Sequence, residues 1–532
     1  MTERAPIEAT AGASSRAASD RGKWMALAAA LLGWMFDGAE MGVFSMVGRR
    51  AVQDLLGIPL IASKAEEAMI GPVFGMIIAV FLVGAATGGV LFGWLGDRVG
   101  RVRAMSLSVL TYAVFTGLCG FAQDPLQLGV LRFIAALGMG GEWSLGVALV
   151  MEVWPNRSRA LMAGLIGAAA NAGYFLVGIV GILLTQVIQS LERGLLAVGL
   201  PVSTVEMLMA YDGWRIMMML GTLPALLTFF FRIFVPESEK WLEEQAQGST
   251  DSMATSDLLG VLVGTAGPAL VIAMCVMSNI PFPVRIVGIV LGVVVAAGGY
   301  LFPAIRFVSR DRALGKTPPL QFPIQRMLLG AGLSGVALLG TWGSTQWAMA
   351  WAGQLTQGID KSQLGLLWQY PKEYTQLTTS SGAIVGTILA AYCGNLMGRR
   401  ASYTLLCVLS LLAVLGFYQL QSAYGAIFLI SSFFLGVTTA SFYGWLPLYL
   451  PELFSTRLRA TGQGFAFNFG RVIAAIGTLQ IGTLLAKLGD VRTIAGVQGG
   501  YAVACSVICL VYLCGAVLIW FAPETQGKEL PE

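Results

Sequence analysis

Residues 152–164 read EVWPNRSRALMAG, and residues 452–464 read ELFSTRLRATGQG. At an offset of 300, Glu152, Arg157, Arg159, Ala160 and Gly164 match Glu452, Arg457, Arg459, Ala460 and Gly464. Further echoes follow in the same order. GDRVGR (96–101) returns as GNLMGR (394–399), and VPES (235–238) as APET (522–525). Landmarks that recur in order at a similar offset mark a chain built from two related halves.

Composition sets the class. Hydrophobic residues make up 56% of the 532 and charged residues only 12%, with a mean hydropathy of +0.74. Soluble domains carry about 25% charged residues, so the chain reads as a membrane protein with the lipid bilayer as its main partner. The 67 glycines fit, because small residues let membrane helices approach closely. A net charge of +4 gives no reason to expect nucleic acid. The seven cysteines lie in or beside apolar runs without paired metal-ligand spacing, so they read as small buried hydrophobes. There is no histidine, which removes the commonest metal ligand and the usual proton shuttle near neutral pH. Proton chemistry then falls to carboxylates. No Ser/His, His/Glu or Cys/His set is possible and no phosphate-cradling loop is present, so neither an enzyme nor a bound cofactor or metal is expected.

Apolar runs long enough to cross a bilayer fall at 24–48, 69–95, 102–122, 126–151, 159–190, 214–235, 257–279, 284–307, 326–353, 376–397, 401–420, 424–450, 459–486 and 499–522. These predict fourteen helices. With the N-terminus inside, inner loops and tails hold roughly 21 of the 33 Lys and Arg residues and outer loops about 10, which satisfies the positive-inside rule. Both termini are therefore expected in the cytoplasm. Residues 1–22 lack the apolar core of a signal peptide and are expected to form a disordered cytoplasmic tail. The remaining boundaries are 23–236 for one six-helix half, 237–325 for linkers flanking an inserted helical pair (257–307), 326–523 for the second half, and 524–532 for a tail. The inserted pair has few polar residues away from its ends and is expected at the periphery, in contact with lipid or another copy; nothing else speaks against a monomer.

Duplicated halves are characteristic of secondary transporters, whose solute sites lie near the bilayer midplane between the repeats. The motifs name a family. GWLGDRVGR (93–101), RFIAALGMGGEW (132–143), PESEKW (236–241) and PETQGKEL (523–530) resemble signatures of the major facilitator superfamily. DGAE at 37–40, GMGGEW, EVWPNRSRA and the fourteen-helix layout most resemble its sialate and monocarboxylate proton symporters. The resemblance implies an all-α membrane protein with two pseudo-symmetric six-helix halves, in the cytoplasmic membrane. Two departures stand out. The paired glutamines of sugar porters are missing from the first helix of the second half, which reads TWGSTQWAMAW, and Asn395 stands where the first half has Asp97. Sugar is thus a weaker solute expectation, and the two halves' cytoplasmic latches should differ in strength.

Charges inside membrane helices cost about 2.5–3.5 kcal/mol on insertion scales and are usually functional. WMFDGAEMGVF (34–44) carries Asp37 and Glu40 on one helical face with no basic residue beside them. At 1.5 Å per residue they lie about 21 and 26 Å from the inner end of their helix. Arg132, on the antiparallel fourth helix, lies about 9 Å from the outer surface and Glu142 about 15 Å deeper. Arg132 thus matches Glu40 in depth, which leaves Asp37 as the favoured proton carrier. Close acids in a poorly solvated cavity raise the pKa of at least one of them, so Asp37, Glu40, Glu142 and Arg132 form a candidate proton-coupling set. The alternative is a structural tether between helices.

Arg471 lies about 18 Å into its helix, and its repeat counterpart is Asn171. A cavity-facing guanidinium suits a carboxylate, which it binds bidentately; packing against helix carbonyls or amides is the alternative. Tyr174, Trp342, Gln346, Trp347 and Tyr443 are candidates for an aromatic and amide wall, or for ordinary core. Gly93, Asp97, Arg98, Gly100 and Arg101, with Glu152, Arg157, Arg159, Glu452, Arg457 and Arg459, form a candidate cytoplasmic gate that the rocking of the halves would break. The expected function is import of a small organic anion, monocarboxylate or sialate-like, by proton symport. A proton-independent facilitator or exchanger, a sugar:proton symporter and a transport-inactive nutrient sensor are the alternatives.

Overall fold

The computed structural model describes residues 7–60, 64–222, 226, 229, 235–246, 254–277, 280–313, 315, 321–359, 364–488 and 490–531. Helices in the first half are α1 (Ile7–Leu55), α2 (Lys64–Val99), α3 (Arg101–Cys119), α4 (Pro125–Val153), α5 (Arg159–Ala197) and α6 (Val202–Leu220). The connecting region holds α7 (Glu239–Ala246) and the hairpin of α8 (Leu258–Val276) and α9 (Phe282–Ala313). The second half comprises α10 (Gln321–Gly343), α11 (Ala348–Leu355), α12 (Pro371–Met397), α13 (Arg399–Leu420), α14 (Ala426–Thr439), α15 (Phe442–Tyr449), α16 (Arg459–Leu488), α17 (Gly500–Ile508) and α18 (Val511–Leu518).

Thirteen helical spans among the described residues are long and apolar enough to cross a membrane. Fourteen are expected from the sequence. The difference is the span at 214–235, of which 223–225, 227, 228 and 230–234 fall outside the described residues. Its start is clear: α6 breaks at Ala210–Gly213, where Tyr211 and Asp212 take positive φ, and resumes at Trp214. Three other expected spans are discontinuous. The ninth breaks between Gly343 and Ala348, the twelfth between Thr439 and Phe442, and the fourteenth between Ile508 and Val511.

The N-terminal expectation needs correction. α1 begins at Ile7, so residues 7–22 continue the helix where a disordered tail is expected. Five alanines in IEATAGASSRAASDRG explain it, since Ala has the highest helix propensity. Residues 1–6 lie outside the described residues.

Close helix crossings hold each half together. A Cβ at Gly38 or Gly173 would strike the backbone of the facing helix, so α1 and α5 meet at van der Waals distance. At the ends of α2 and α12, Gly100 and Gly398 take φ of +113° and +86°, a region that L side chains rarely enter. The glycines of GDRVGR and GNLMGR thus make the same turn into α3 and α13. In both halves a carboxylate from the VPES/APET repeat then caps the next helix. Glu237 accepts from the backbone N–H of Arg101 and Val102, and Glu524 from those of Arg399 and Arg400. Partial burial alone would raise the Glu524 carboxyl, but these N–H donors hold it below the usual carboxylate range.

Candidate functional site

A cavity sits between the halves. From the first half it is lined by Trp34, Asp37 and Met41 on α1, Met139 and Trp143 on α4, and Asn171 and Tyr174 on α5. The second half supplies Thr341, Trp342 and Gln346 around the break after α10, Gln376 and Ser380 on α12, Tyr443 on α15, and Phe467 and Arg471 on α16. Broken helices at membrane depth are tolerated where they line a cavity, and two of the three breaks in the second half deliver Gln346 and Tyr443 here.

Asp37 and Arg471 share this cavity and lie close enough for their charges to interact. Arg471 is 8% exposed, its guanidinium sits 5.5 Å from the Phe467 ring, and its Nη1 has no hydrogen-bond partner among the described residues. Such a donor is costly to bury unless something accepts from it. Tyr174 and Gln346 come within hydrogen-bonding reach of one another across the halves, as do Tyr443 and Thr341 within the second half. Asn171 turns its amide nitrogen onto the Gly167 carbonyl at 2.9 Å, leaving the amide oxygen end towards other partners.

The candidate proton-coupling residues occupy distinct environments. Glu40 and Arg132 form a direct ion pair with both side chains 2% exposed. Arg132 lies between the Phe44 and Phe81 rings, 4.1 and 4.2 Å from their centroids, and Thr116 Oγ1 donates to Glu40 at 3.4 Å. Neither member of this pair lines the cavity that Asp37 lines. Glu142 is fully buried on α4, next to Trp143 on the wall, but does not line the cavity itself.

Trp347 departs from expectation. It stacks on Tyr501 with ring centroids 5.5 Å apart and donates to the Trp342 carbonyl, away from the cavity wall. The helix break after Gly343 turns it, and a continuous-helix reading cannot foresee that. Conversely, Trp34, Trp143, Phe467, Gln376 and Ser380 are wall residues that the sequence reading does not single out. Trp34 precedes Asp37 by three positions and Phe467 precedes Arg471 by four, so helical spacing from the charged residues would have found both. Trp143 and Phe467 stack across the halves, 3.6 Å apart with planes 7° from parallel, and form the cavity floor.

Below that floor lies the latch. Arg101 donates from Nη2 to Glu152 at 3.3 Å and to the Thr456 carbonyl at 2.8 Å, and its Nη1 lies 2.9 Å from Asp97. Arg459 donates to the same Glu152 oxygen at 2.9 Å. Asp97 caps the start of α16, accepting from the Thr461 N–H at 2.8 Å and hydroxyl at 2.6 Å. Gly93 lets the two helices touch, for a Cβ there would sit 2.7 Å from the Ala460 carbonyl.

The second half repeats the motif with a difference. Arg399 donates to both oxygens of Glu452, at 2.9 and 2.7 Å, and Thr525 donates to Glu452 as Ser238 does to Glu152. Asn395, however, offers its backbone carbonyl to Gln526 and makes no counterpart of the Asp97 cap. The strong cross-half fastener therefore runs from Asp97 and Glu152 to α16. Arg159 is buried near Glu452, whereas Arg157 is exposed on the turn before α5. Arg98 and Arg457 point instead towards the inserted hairpin. The last residues form no free tail either: Leu530 is buried and the Pro531 carbonyl accepts from Arg459 at 2.7 Å.

Comparison with known proteins agrees with this architecture. The family model "Sugar (and other) transporter" matches residues 25–264. The proton:xylose symporter XylE superposes with a TM-score of 0.62 at 16% identity, covering 96% of this chain and 98% of that one. The fold and these matches support a transporter of the major facilitator superfamily. Relatives include a putative metabolite transport protein of Haemophilus influenzae, 26% identical over 95% of this chain and 98% of the relative. The cis,cis-muconate transport protein of Acinetobacter baylyi is 25% identical over 86% of this chain and 89% of its own length. The sialic acid transporter NanX of Escherichia coli is 23% identical, with 84% and 83% covered. Together with the thirteen apolar spans, these relatives support a multi-pass membrane transporter and not an enzyme.

Proposed function

We propose that the protein imports a small organic anion with a flat apolar or unsaturated body, by proton symport across the cytoplasmic membrane, with both termini in the cytoplasm. The observation that carries this reading is the joint placement of Asp37 and Arg471, from opposite halves, on one buried cavity. Arg471 retains a donor without a partner among the described residues, which suits a carboxylate. The surrounding Trp34, Trp143, Phe467 and Tyr443 rings favour a planar apolar body. Relatives named for muconate and sialic acid transport support an organic acid.

Coupling follows from charge balance. An ionised Asp37 and Arg471 make the empty cavity neutral overall. A carboxylate solute alone would add an uncompensated negative charge, which is costly away from water. A proton on Asp37 removes that excess, frees Arg471 for the solute, and leaves the loaded cavity neutral. Both the empty and the doubly loaded forms can then reorient, and the singly loaded forms are disfavoured. Glu40 is neutralised by Arg132 away from the cavity lining and keeps α1 on α4.

The test is uptake into proteoliposomes of labelled cis,cis-muconate, sialate, lactate and benzoate, with and without an imposed inward proton gradient. At least one acid should accumulate only with the gradient. Uptake indifferent to the gradient would identify a facilitator or exchanger and overturn the symport reading.

A further inference from the structure

The hairpin of α8 and α9 is the part of the fold that neither cavity nor latch explains. Its helices meet through small residues: a Cβ at Gly299 would overlap Gly264, and one at Gly267 would overlap the Gly292 carbonyl. Asp257, 1% exposed, is held by two 2.6 Å bonds from Arg310, which ties the start of α8 to the end of α9. The hairpin is therefore one rigid piece. Gly292, Ala296, Tyr300, Ala304 and Phe307 form a buried stripe, while Leu262, Val287 and Val290 are exposed. That stripe packs mainly on α8, and the hairpin, chiefly through α8, lies over the seam between α2 of the first half and α16 of the second.

Each half holds the hairpin differently. Arg457 of the second half donates to Asp311 at 2.6 Å, and Asp311 is 1% exposed. Parting this pair would leave a charge buried without its partner. Arg98 of the first half donates to the Thr255 hydroxyl at 2.7 Å in an exposed setting, where water can replace either group. Tyr300 straddles the seam. Its hydroxyl is 2.7 Å from Thr87 Oγ1 on α2, and its ring packs edge-on against Phe469 on α16 at 6.5 Å. Gln480 on α16 also reaches Cys275 at the far end of α8.

We propose that the inserted hairpin is a strap, fixed to the second half through Arg457 and Asp311 and clasped to the first half through Arg98–Thr255 and Thr87–Tyr300. The clasp opens each time the halves part at the latch end, and the hairpin travels with the second half. This rests on the alternating-access reading above, yet it is testable without any solute. Ser144 lies fully buried on the closed seam, where its carbonyl accepts from Gln463. In the full-length protein with its native cysteines replaced, Ser144→Cys should react with a soluble maleimide only when the seam opens. Tyr300→Phe combined with Thr255→Ala removes both clasps and keeps the ring in place. Labelling should then speed up roughly tenfold, as expected for two hydrogen bonds of ordinary net worth, with only a small fall in melting temperature. Labelling at the parent rate would overturn the proposal.

A second arm separates the two attachments. A short bifunctional thiol reagent bridging cysteines at 98 and 255 should slow labelling at least fivefold, because it locks the clasp. Bridging cysteines at 457 and 311 should leave the rate near that of the parent, because those residues already move together. The reverse pattern places the hairpin with the first half and overturns the proposal. A failed uptake assay would leave this readout untouched.

Discussion

Arg459 Nη1 lies 2.9 Å from Glu152 Oε1, and this fully buried contact joins α16 to α4. Arg101 shares the same carboxylate, so one acid neutralises a cation from each half. Glu152→Gln leaves two buried guanidinium groups with a neutral acceptor. Losing one partner of a buried ion pair costs about 3–5 kcal/mol, and here the cost falls on the latched state. The variant should rest with its latch end open and show at least tenfold slower uptake, with Ser144→Cys labelled faster. Parent-like labelling would show that the latch does not depend on this carboxylate.

Asp37→Asn and Glu40→Gln should separate transport from architecture. The first removes a protonatable group from the cavity wall and should abolish gradient-driven accumulation while solute exchange persists. The second breaks a buried ion pair and should lower stability by about 3–5 kcal/mol, read as a fall in melting temperature. Normal accumulation by Asp37→Asn would remove the proton from this site.

Arg471→Lys keeps the positive charge and loses the fork. Bidentate recognition of a carboxylate is then impossible. Charge-assisted hydrogen bonds are worth about 1.5–3 kcal/mol, so KM for the transported acid should rise roughly tenfold to a hundredfold with expression unchanged. An unaltered KM would mean that Arg471 serves the wall and not the solute.

Glu524 supplies a pH prediction away from the membrane. Its folded pKa is depressed, so the stability it contributes is fully present above the ordinary carboxylate value of about 4.3. That stability is lost as the pH falls towards and through the depressed folded value. Glu524→Gln should therefore melt lower than the parent at pH 7, and the difference should shrink in melts taken progressively below pH 4. The effect is small, because the carboxyl is largely open to solvent and screened. A gap that persists unchanged into strong acid would exclude ionisation as its cause.

Much of this arrangement was legible in residue order alone. The Glu152/Glu452 repeat located both halves of the latch, and helix depth alone matched Glu40 with Arg132. Arg471 stood out because an isolated cation at mid-membrane is expensive. What escaped has a common physical origin. The breaks near Ser344 and Ala440 alter which way following side chains point, and Trp347 is the casualty. Phe467 and Trp143 look like ordinary core until the two halves are brought face to face. The fates of Arg157 and Arg457 diverge because only Arg457 meets Asp311, a residue of the inserted hairpin that the repeat does not contain.

The capping carboxylates carry one more consequence. Glu237 fastens α3 and Glu524 fastens α13, each from the segment that follows the last helix of its own half. Glu152 and Glu452 close the same circuit through Ser238 and Thr525. Each half thus completes its own fastening as soon as its last stretch leaves the ribosome. The first half can settle in the bilayer while the second is still being translated.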